Sequence, residues 1–139
     1  SDAIRLDDIK IDTAPYLVNE ITRAFGVRVE YYGQSKANPY YNQTISLFVK
    51  SDNTLLKILD NFSLEKNTGE WNGACEGEFF NESKTLIISK EITNGFFDVL
   101  VKHKIAKSIA FFNDNNECDE KETVSHISSV LKYDRNQYK

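Results

Sequence analysis

The segment from Thr13 to Gly26 has the clearest periodic pattern in the chain, and it constrains the fold more than any other feature. Thr13 is suited to cap a helix, Pro15 to occupy its first turn and Gly26 to end it. Alternating apolar residues precede this segment at 3–11 and follow it at 27–32, as in strands. The first 32 residues therefore predict a strand, a helix and a strand. The residues that form the predicted buried face of the helix are Leu17, Val18, Ile21, Ala24 and Phe25.

The remaining chain contains further runs of both kinds. Alternating, β-branched or aromatic runs predict strands at 44–49, 70–80, 85–92 and 107–112. Apolar residues at helical spacing predict helices over 52–62, 93–105 and 119–131. The expected order is βαββαββαβα in a single domain, with three to four helices packed on a mixed sheet of about six strands. This is an α+β or mixed α/β fold.

Charge is concentrated in one place. The chain has 139 residues, 40% of them hydrophobic, which is enough for one domain with a core. Its net charge of −4 equals that of the stretch FNDNNECDEKE at 112–122, so the other charges cancel. Without a basic stripe we expect no nucleic-acid binding. No apolar run approaches the roughly 18 residues of a membrane span, so we expect a soluble protein without a membrane partner.

Two features bear on the cellular compartment. The chain contains no Met, so Ser1 follows a removed Met, a cleaved leader or an added segment. Cys75 and Cys118 stand far apart, which argues against a zinc site and against a disulfide framework. We expect two free thiols in a reducing cytoplasm, and a single bridge between them is the alternative.

The acidic stretch has the carboxylates of a calcium loop but not their spacing. Counting from Asp114, the sixth position is Asp119, where a glycine is required, and the twelfth is Ser125, where a bidentate Glu is required. The EF-hand interpretation therefore fails, and we expect no metal or cofactor here. Two interpretations stay open. The stretch is either an exposed turn in which Asp119 and Glu122 cap the next helix, or a docking patch for a basic partner.

Two other groups of residues could carry chemistry. Glu82 and Lys84 have the spacing of the acidic-x-Lys pair of metal-dependent nucleases, but they fall in a predicted surface turn. His103 and His126 each stand alone on a predicted helix, without a partner at metal spacing, and are expected to be solvated.

The loop at 31–42 is rich in tyrosine. It places Tyr31, Tyr32, Tyr40 and Tyr41 around Gly, Ser, Asn and Pro, a composition typical of binding loops. The alternative is that tyrosines at facing strand ends only stack across a hairpin.

These features favour a protein-binding module. Its most concrete form is a small cytoplasmic inhibitor, like a bacterial immunity or antitoxin protein, that covers the basic active site of a partner such as a nuclease toxin. One alternative is a small metal-dependent hydrolase or nuclease that uses Glu78, Glu82 and Lys84, and another is an accessory subunit with structural contacts only. The predicted partner-binding residues are Asp114, Glu117, Asp119, Glu120, Glu76, Glu78, Tyr40 and Tyr41.

Overall fold

The computed structural model describes residues 4–139, which form a single antiparallel sheet of seven strands. The strands follow one another in space in the order of the sequence, and each pairs antiparallel with the next. No helix is present in this range, so none of the described residues belongs to a membrane-spanning helix. Residue 3, at the start of the first predicted strand, lies outside the described residues. The strands are β1 Ile4–Leu17, β2 Arg23–Gly33, β3 Tyr40–Ser51, β4 Thr54–Trp71, β5 Gly77–Thr93, β6 Phe96–Phe112 and β7 Cys118–Leu131.

The predicted α+β fold is therefore wrong, and the segment at 13–25 shows why. It forms the end of β1, a turn and the start of β2. The Oδ1 atom of Asn19 accepts hydrogen bonds from the backbone N–H groups of Ile21 and Thr22, which closes the turn. Val18 is fully buried whereas Ile21 is 93% exposed, so the helical spacing did not mark one buried face.

The second and third predicted helices begin at hairpin turns. Asn94 and Gly95 have φ angles of 51° and 87°, the two positive values that a type I′ turn requires. An Asn-Gly pair between alternating apolar residues is a strong hairpin signal, and here it outweighs the helical spacing of the residues that follow. Asp52, the first residue of the predicted helix at 52–62, has a φ of 52° in the β3–β4 turn.

The last predicted helix, at 119–131, is strand β7. It pairs with β6 over its whole length without a register shift. Its Thr, Ser, Val and Ile residues are weak helix formers, and the free edge of β6 offers hydrogen-bond partners for the whole segment. The surface turn predicted around Glu82 and Lys84 lies within β5, and the predicted strand at 70–80 contains the turn between β4 and β5 at 72–76.

The core lies where the sheet curls over itself. β4 pairs with β5 only through residues 65–71 and 77–83, so the remaining parts of these two strands diverge. Side chains from β2, β3, β4 and β6 meet in one buried cluster, which a flat sheet of this strand order could not form. The buried members are Val18, Ala24, Ile45, Leu47, Val49, Ile58, Leu59, Leu64, Val99 and Tyr138.

The segment after β7 closes this core. Tyr138 is 4% exposed; its N–H donates to the carbonyl of Ile58 at 2.7 Å and its hydroxyl to the carbonyl of Phe97 at 2.7 Å. Its ring packs near those of Phe96 and Tyr133. The segment thus ties β4 to β6, which are not neighbours in the sheet.

Candidate functional site

Three connections gather at one end of the sheet. Because neighbouring strands are antiparallel, alternate connections lie at the same end, and here these are residues 34–39, 72–76 and 113–117. We call this the loop end. It contains both acidic segments and the tyrosine-rich loop that the sequence singled out. The predicted partner-binding residues lie at its turns and adjoining strand starts: Tyr40 and Tyr41 in β3, Glu76 and Glu78 at the β4–β5 turn, and Asp114, Glu117, Asp119 and Glu120 at the β6–β7 turn.

A disulfide joins two of these connections. Cys75 in the β4–β5 turn is bonded to Cys118, the first residue of β7, with their Cα atoms 5.5 Å apart. The prediction of two free thiols is therefore wrong, and the single bridge is present. The bond brings Glu76 beside the acidic stretch that begins at residue 112. Disulfides persist in oxidising compartments, so the structure does not support the cytoplasmic placement.

A groove of about 480 Å³ lies against this disulfide. We call it the disulfide groove. Its lining residues are Trp71, Ala74, Cys75, Phe79, Ala110, Cys118, Asp119 and Glu120. Trp71 and Phe79 form its aromatic part. Glu120 lies on the same face of the sheet as these rings, because Trp71, Gly77, Ala110 and Glu120 are directly opposite one another on successive strands.

Two glycines allow the aromatic side chains to lie across the sheet. Gly69 is directly opposite Phe79, and Gly77 is directly opposite Trp71. A Cβ atom on Gly69 would lie 2.5 Å from Cδ1 of Phe79, and one on Gly77 would overlap Trp71. A side chain at either position would collide with the ring of Trp71 or Phe79, so both positions require glycine. The centroids of the two rings are 6.1 Å apart.

The orientation of Trp71 is fixed by hydrogen bonds to the β2–β3 connection. Its indole Nε1 donates to the carbonyl of Lys36 at 2.7 Å, and its backbone N–H donates to the carbonyl of Ala37 at 3.0 Å. These bonds hold the loop at 34–39 against β4. The floor of the disulfide groove is therefore preorganised.

A second groove, of about 360 Å³, adjoins the first. Phe79 lines both grooves, so they form one continuous surface across the loop end. Tyr40 and Tyr41 line the second groove together with Tyr32. Tyr32 and Tyr41 are directly opposite across β2 and β3, with ring centroids 4.9 Å apart, so the interpretation of tyrosines packed across a hairpin is confirmed for this pair.

A hydrogen-bonded network of side chains from β1, β2 and β3 holds the hydroxyl of Tyr41. Its hydroxyl donates to Glu30 at 3.3 Å, and Gln43 donates to the same carboxylate at 3.1 Å. The Arg28 guanidinium donates one hydrogen bond to Gln43 and one to Asp12, each with a donor–acceptor distance of 2.9 Å. Burial, and after it the charge of Glu30, raises the pKa of Tyr41 to about 12, so its phenol stays protonated at neutral pH. Sequence reasoning missed this network, although Arg28, Glu30 and Tyr32 alternate along β2.

The proposed nuclease residues are not assembled into a site. Glu78 forms an ion pair with Lys107 at 3.0 Å, and Glu82 contacts His103 at 3.0 Å. Because Glu78 and Glu82 are four residues apart on one strand, their Cα atoms are separated by about 13 Å. No three His, Cys, Asp or Glu side chains within residues 4–139 are grouped so that they could hold a metal ion. His103, expected to be solvated, is instead partly buried.

The eight predicted binding residues separate into groups. Asp119 and Glu120 line the disulfide groove, and Tyr40 and Tyr41 line its neighbour. Glu78 alternates with Phe79 along β5, and Asp119 alternates with Glu120 along β7, so the side chains of Glu78 and Asp119 point to the opposite face of the sheet. The others, Glu76, Asp114 and Glu117, are exposed at the turns. Comparison of the chain with protein-family models, curated proteins and solved structures found no match.

Proposed function

We propose that the protein is a binding domain whose loop end holds a basic segment of a partner protein. The observation that carries this proposal is the disulfide groove, in which an aromatic floor lies beside the carboxylate of Glu120. This combination of surfaces matches a Lys or Arg side chain, which has an apolar stem and a cationic head.

Each part of such a side chain has a place in the groove. The methylene stem packs on the rings of Trp71 and Phe79, and the cationic head reaches Glu120. Cation–π contact with an exposed aromatic ring contributes about 0.5–1 kcal/mol. Arg fits better than Lys, because its planar guanidinium both stacks on a ring and pairs with a carboxylate in two-pronged fashion.

The remaining carboxylates of the loop end act at longer range. Glu76, Asp114 and Glu117 are exposed beside the groove, and the disulfide keeps the first of them near the other two. Clustered negative charge raises the rate at which a positive surface arrives in the correct orientation. Glu76, Asp114 and Glu117 therefore attract the partner, whereas the carboxylate in the groove holds it.

The most concrete form of this function is inhibition. A basic active site, such as that of a nuclease, would meet acidic side chains where it otherwise binds phosphate. The disulfide supports an encounter in an oxidising compartment rather than in the cytoplasm.

Trp71 provides a direct test, because it is the only Trp in the chain and lies in the groove. We expect its fluorescence to change when an octa-arginine peptide is added at low salt. The variant Asp119→Asn/Glu120→Gln removes the groove carboxylate of Glu120 together with the neighbouring charge of Asp119, and should abolish the change. Glu20→Gln/Glu91→Gln removes two exposed charges far from the loop end and is the matched control.

Two outcomes would contradict the proposal. One is the absence of any response to the basic peptide. The other is an equal response in all three proteins to a neutral oligosaccharide such as cellohexaose, since sugars also stack on flat aromatic rings. The second result would assign the groove to a glycan.

A further inference from the structure

Strand β7 is an edge of the sheet and is almost completely exposed. All of its residues except the last are exposed. Only β6 pairs with it within residues 4–139, so one side of its backbone has no hydrogen-bond partner in this part of the chain. An edge of this kind is a ready template for pairing with another strand.

The opposite edge, β1, carries the usual protections. Its register shifts after Leu6 and again after Asp12, and Pro15 lies in the second irregular region. Charged residues such as Arg5 and Lys10 alternate with its apolar ones. Bulges, proline and charges are the devices by which natural edges avoid pairing.

β7 lacks these protections over 123–131. This stretch, TVSHISSVL, contains no Asp, Glu, Lys, Arg, Pro or Gly, and its pairing with β6 has no bulge. Val124, Ile127 and Val130 are 43%, 53% and 48% exposed. Exposed β-branched residues on an unprotected edge are costly for an isolated chain.

We propose that β7 pairs antiparallel with β7 of a second copy of this chain, around a two-fold axis at Ile127. The sequence is self-complementary about that residue. Val124 then lies opposite Val130, and Ser125 opposite Ser129. A two-fold contact of this kind closes on itself and leaves no further free β7 edge.

The solvent-exposed surface of the chain is larger than that of a typical monomer, as expected if a partner normally covers part of it. The chain exposes 9101 Å², whereas a folded monomer of this mass exposes about 7,400 Å². The excess is larger than the roughly 800 Å² that each partner buries in a typical stable interface. Because the two β7 strands run in opposite directions, the loop ends of the two copies lie at opposite ends of the joined sheet. The dimer therefore leaves both disulfide grooves free.

Sedimentation velocity over a range of concentrations tests the proposal. We expect a species of twice the 16.0 kDa chain mass for the wild type and a monomer for Ile127→Lys. Ile9→Lys places the same charge on the β1 edge, where Ile9 is 58% exposed, and should remain dimeric. A wild type that is monomeric at all concentrations, or a dimer broken by Ile9→Lys and not by Ile127→Lys, would overturn the proposal. Open-ended polymers would also overturn it, because they require β7 to pair with β1.

Cross-linking tests the register independently of stability. In the proposed pairing the two Ile127 Cβ atoms are about 4.5–5.5 Å apart, close enough for a disulfide after modest adjustment. We expect Ile127→Cys to give a covalent dimer on oxidation, whereas Val130→Cys, whose counterpart is Val124, should not. Cross-linking of Val130→Cys alone would contradict the two-fold axis at Ile127.

Discussion

At the scale of single residues, Asp98 is the polar group on which the core depends most. It is 3% exposed, and Lys132 donates to its Oδ2 at 2.9 Å. The hydrogen bond from Lys132 keeps the pKa of Asp98 below its usual value of 3.8. The Thr93 side chain lowers the pKa of Asp98 further, after Lys132. The charge of Asp98 is therefore stabilised first by Lys132, a side chain from the closing segment.

We expect Lys132→Met to lower the free energy of unfolding by about 1–3 kcal/mol at pH 7, because it leaves a buried carboxylate without its charged donor. Since the folded pKa of Asp98 is depressed, the contribution of the pair is present above about pH 4 and is lost as the pH falls through the folded pKa. Urea unfolding at pH 7 and pH 3 measures this. An equal loss at both pH values would contradict the role assigned to Lys132.

A matched control comes from an exposed pair. Lys57 and Asp60 are 3.2 Å apart with both side chains about half exposed. Lys57→Met should cost less than about 1 kcal/mol, as exposed ion pairs do. The comparison separates burial of the carboxylate from the mere loss of a lysine.

Only some residues of the two grooves could be predicted from the sequence. Asp119, Glu120, Tyr40 and Tyr41 were chosen for charge and aromatic composition, which the sequence displays directly. Trp71 and Phe79 were missed as groove residues, because their position depends on the glycines opposite them. That pairing is set by a strand register that no local pattern reveals.

At the scale of elements, the segments predicted as strands at 3–11, 27–32, 44–49, 85–92 and 107–112 lie within strands where the structure describes them, whereas the predicted strand at 70–80 contains a turn and none of the predicted helices is present in residues 4–139. Helical spacing arises by chance when a turn interrupts alternation, as at 18–22, or when β-branched residues occur three apart, as in β7. The Asn94-Gly95 turn was the local signal that contradicted a helix. Whether such a segment forms a strand is decided by its pairing with another strand, and the sequence of the segment alone does not reveal that pairing.

The disulfide is the element-scale feature with the largest expected effect. Cys75 and Cys118 are 43 residues apart, and closing a loop of that length stabilises a fold by about 4 kcal/mol on the chain-entropy model. We expect Cys75→Ser/Cys118→Ser to lower the free energy of unfolding by about 2–4 kcal/mol in urea. The same variant should weaken the Trp71 response to octa-arginine, because the groove loses one wall.

Chemical reduction provides the control for this variant. A reducing agent should bring the wild type to the stability of the double variant and leave the double variant unchanged. If reduction left wild-type stability unaffected, the two cysteines would not be bonded in solution.

At the scale of the whole molecule, charge and shape divide the protein into two ends. The acidic stretch accounts for the entire net charge of −4 and lies at the loop end. The opposite end contains the aromatic closure around Tyr138 and a balanced set of charges. The molecule is therefore electrostatically one-sided, as a domain that is oriented by a positive partner should be.

This asymmetry predicts how association depends on salt. With octa-arginine as the probe and Trp71 fluorescence followed by stopped flow, we expect the association rate to fall steeply as salt rises from 20 to about 500 mM. The reason is that the screening length is about 10 Å at 0.1 M and shorter at higher salt. The dissociation rate should change much less, because it depends on contacts inside the groove.

Two variants separate the two groups of carboxylates. Asp114→Asn/Glu117→Gln, which removes exposed turn charges, should slow association and flatten its salt dependence while leaving dissociation nearly unchanged. Asp119→Asn/Glu120→Gln, which removes the same number of charges but includes the groove carboxylate of Glu120, should mainly speed dissociation. If both variants altered the two rates identically, the loop end would act as a diffuse negative surface, and the groove would have no distinct part in holding the cation.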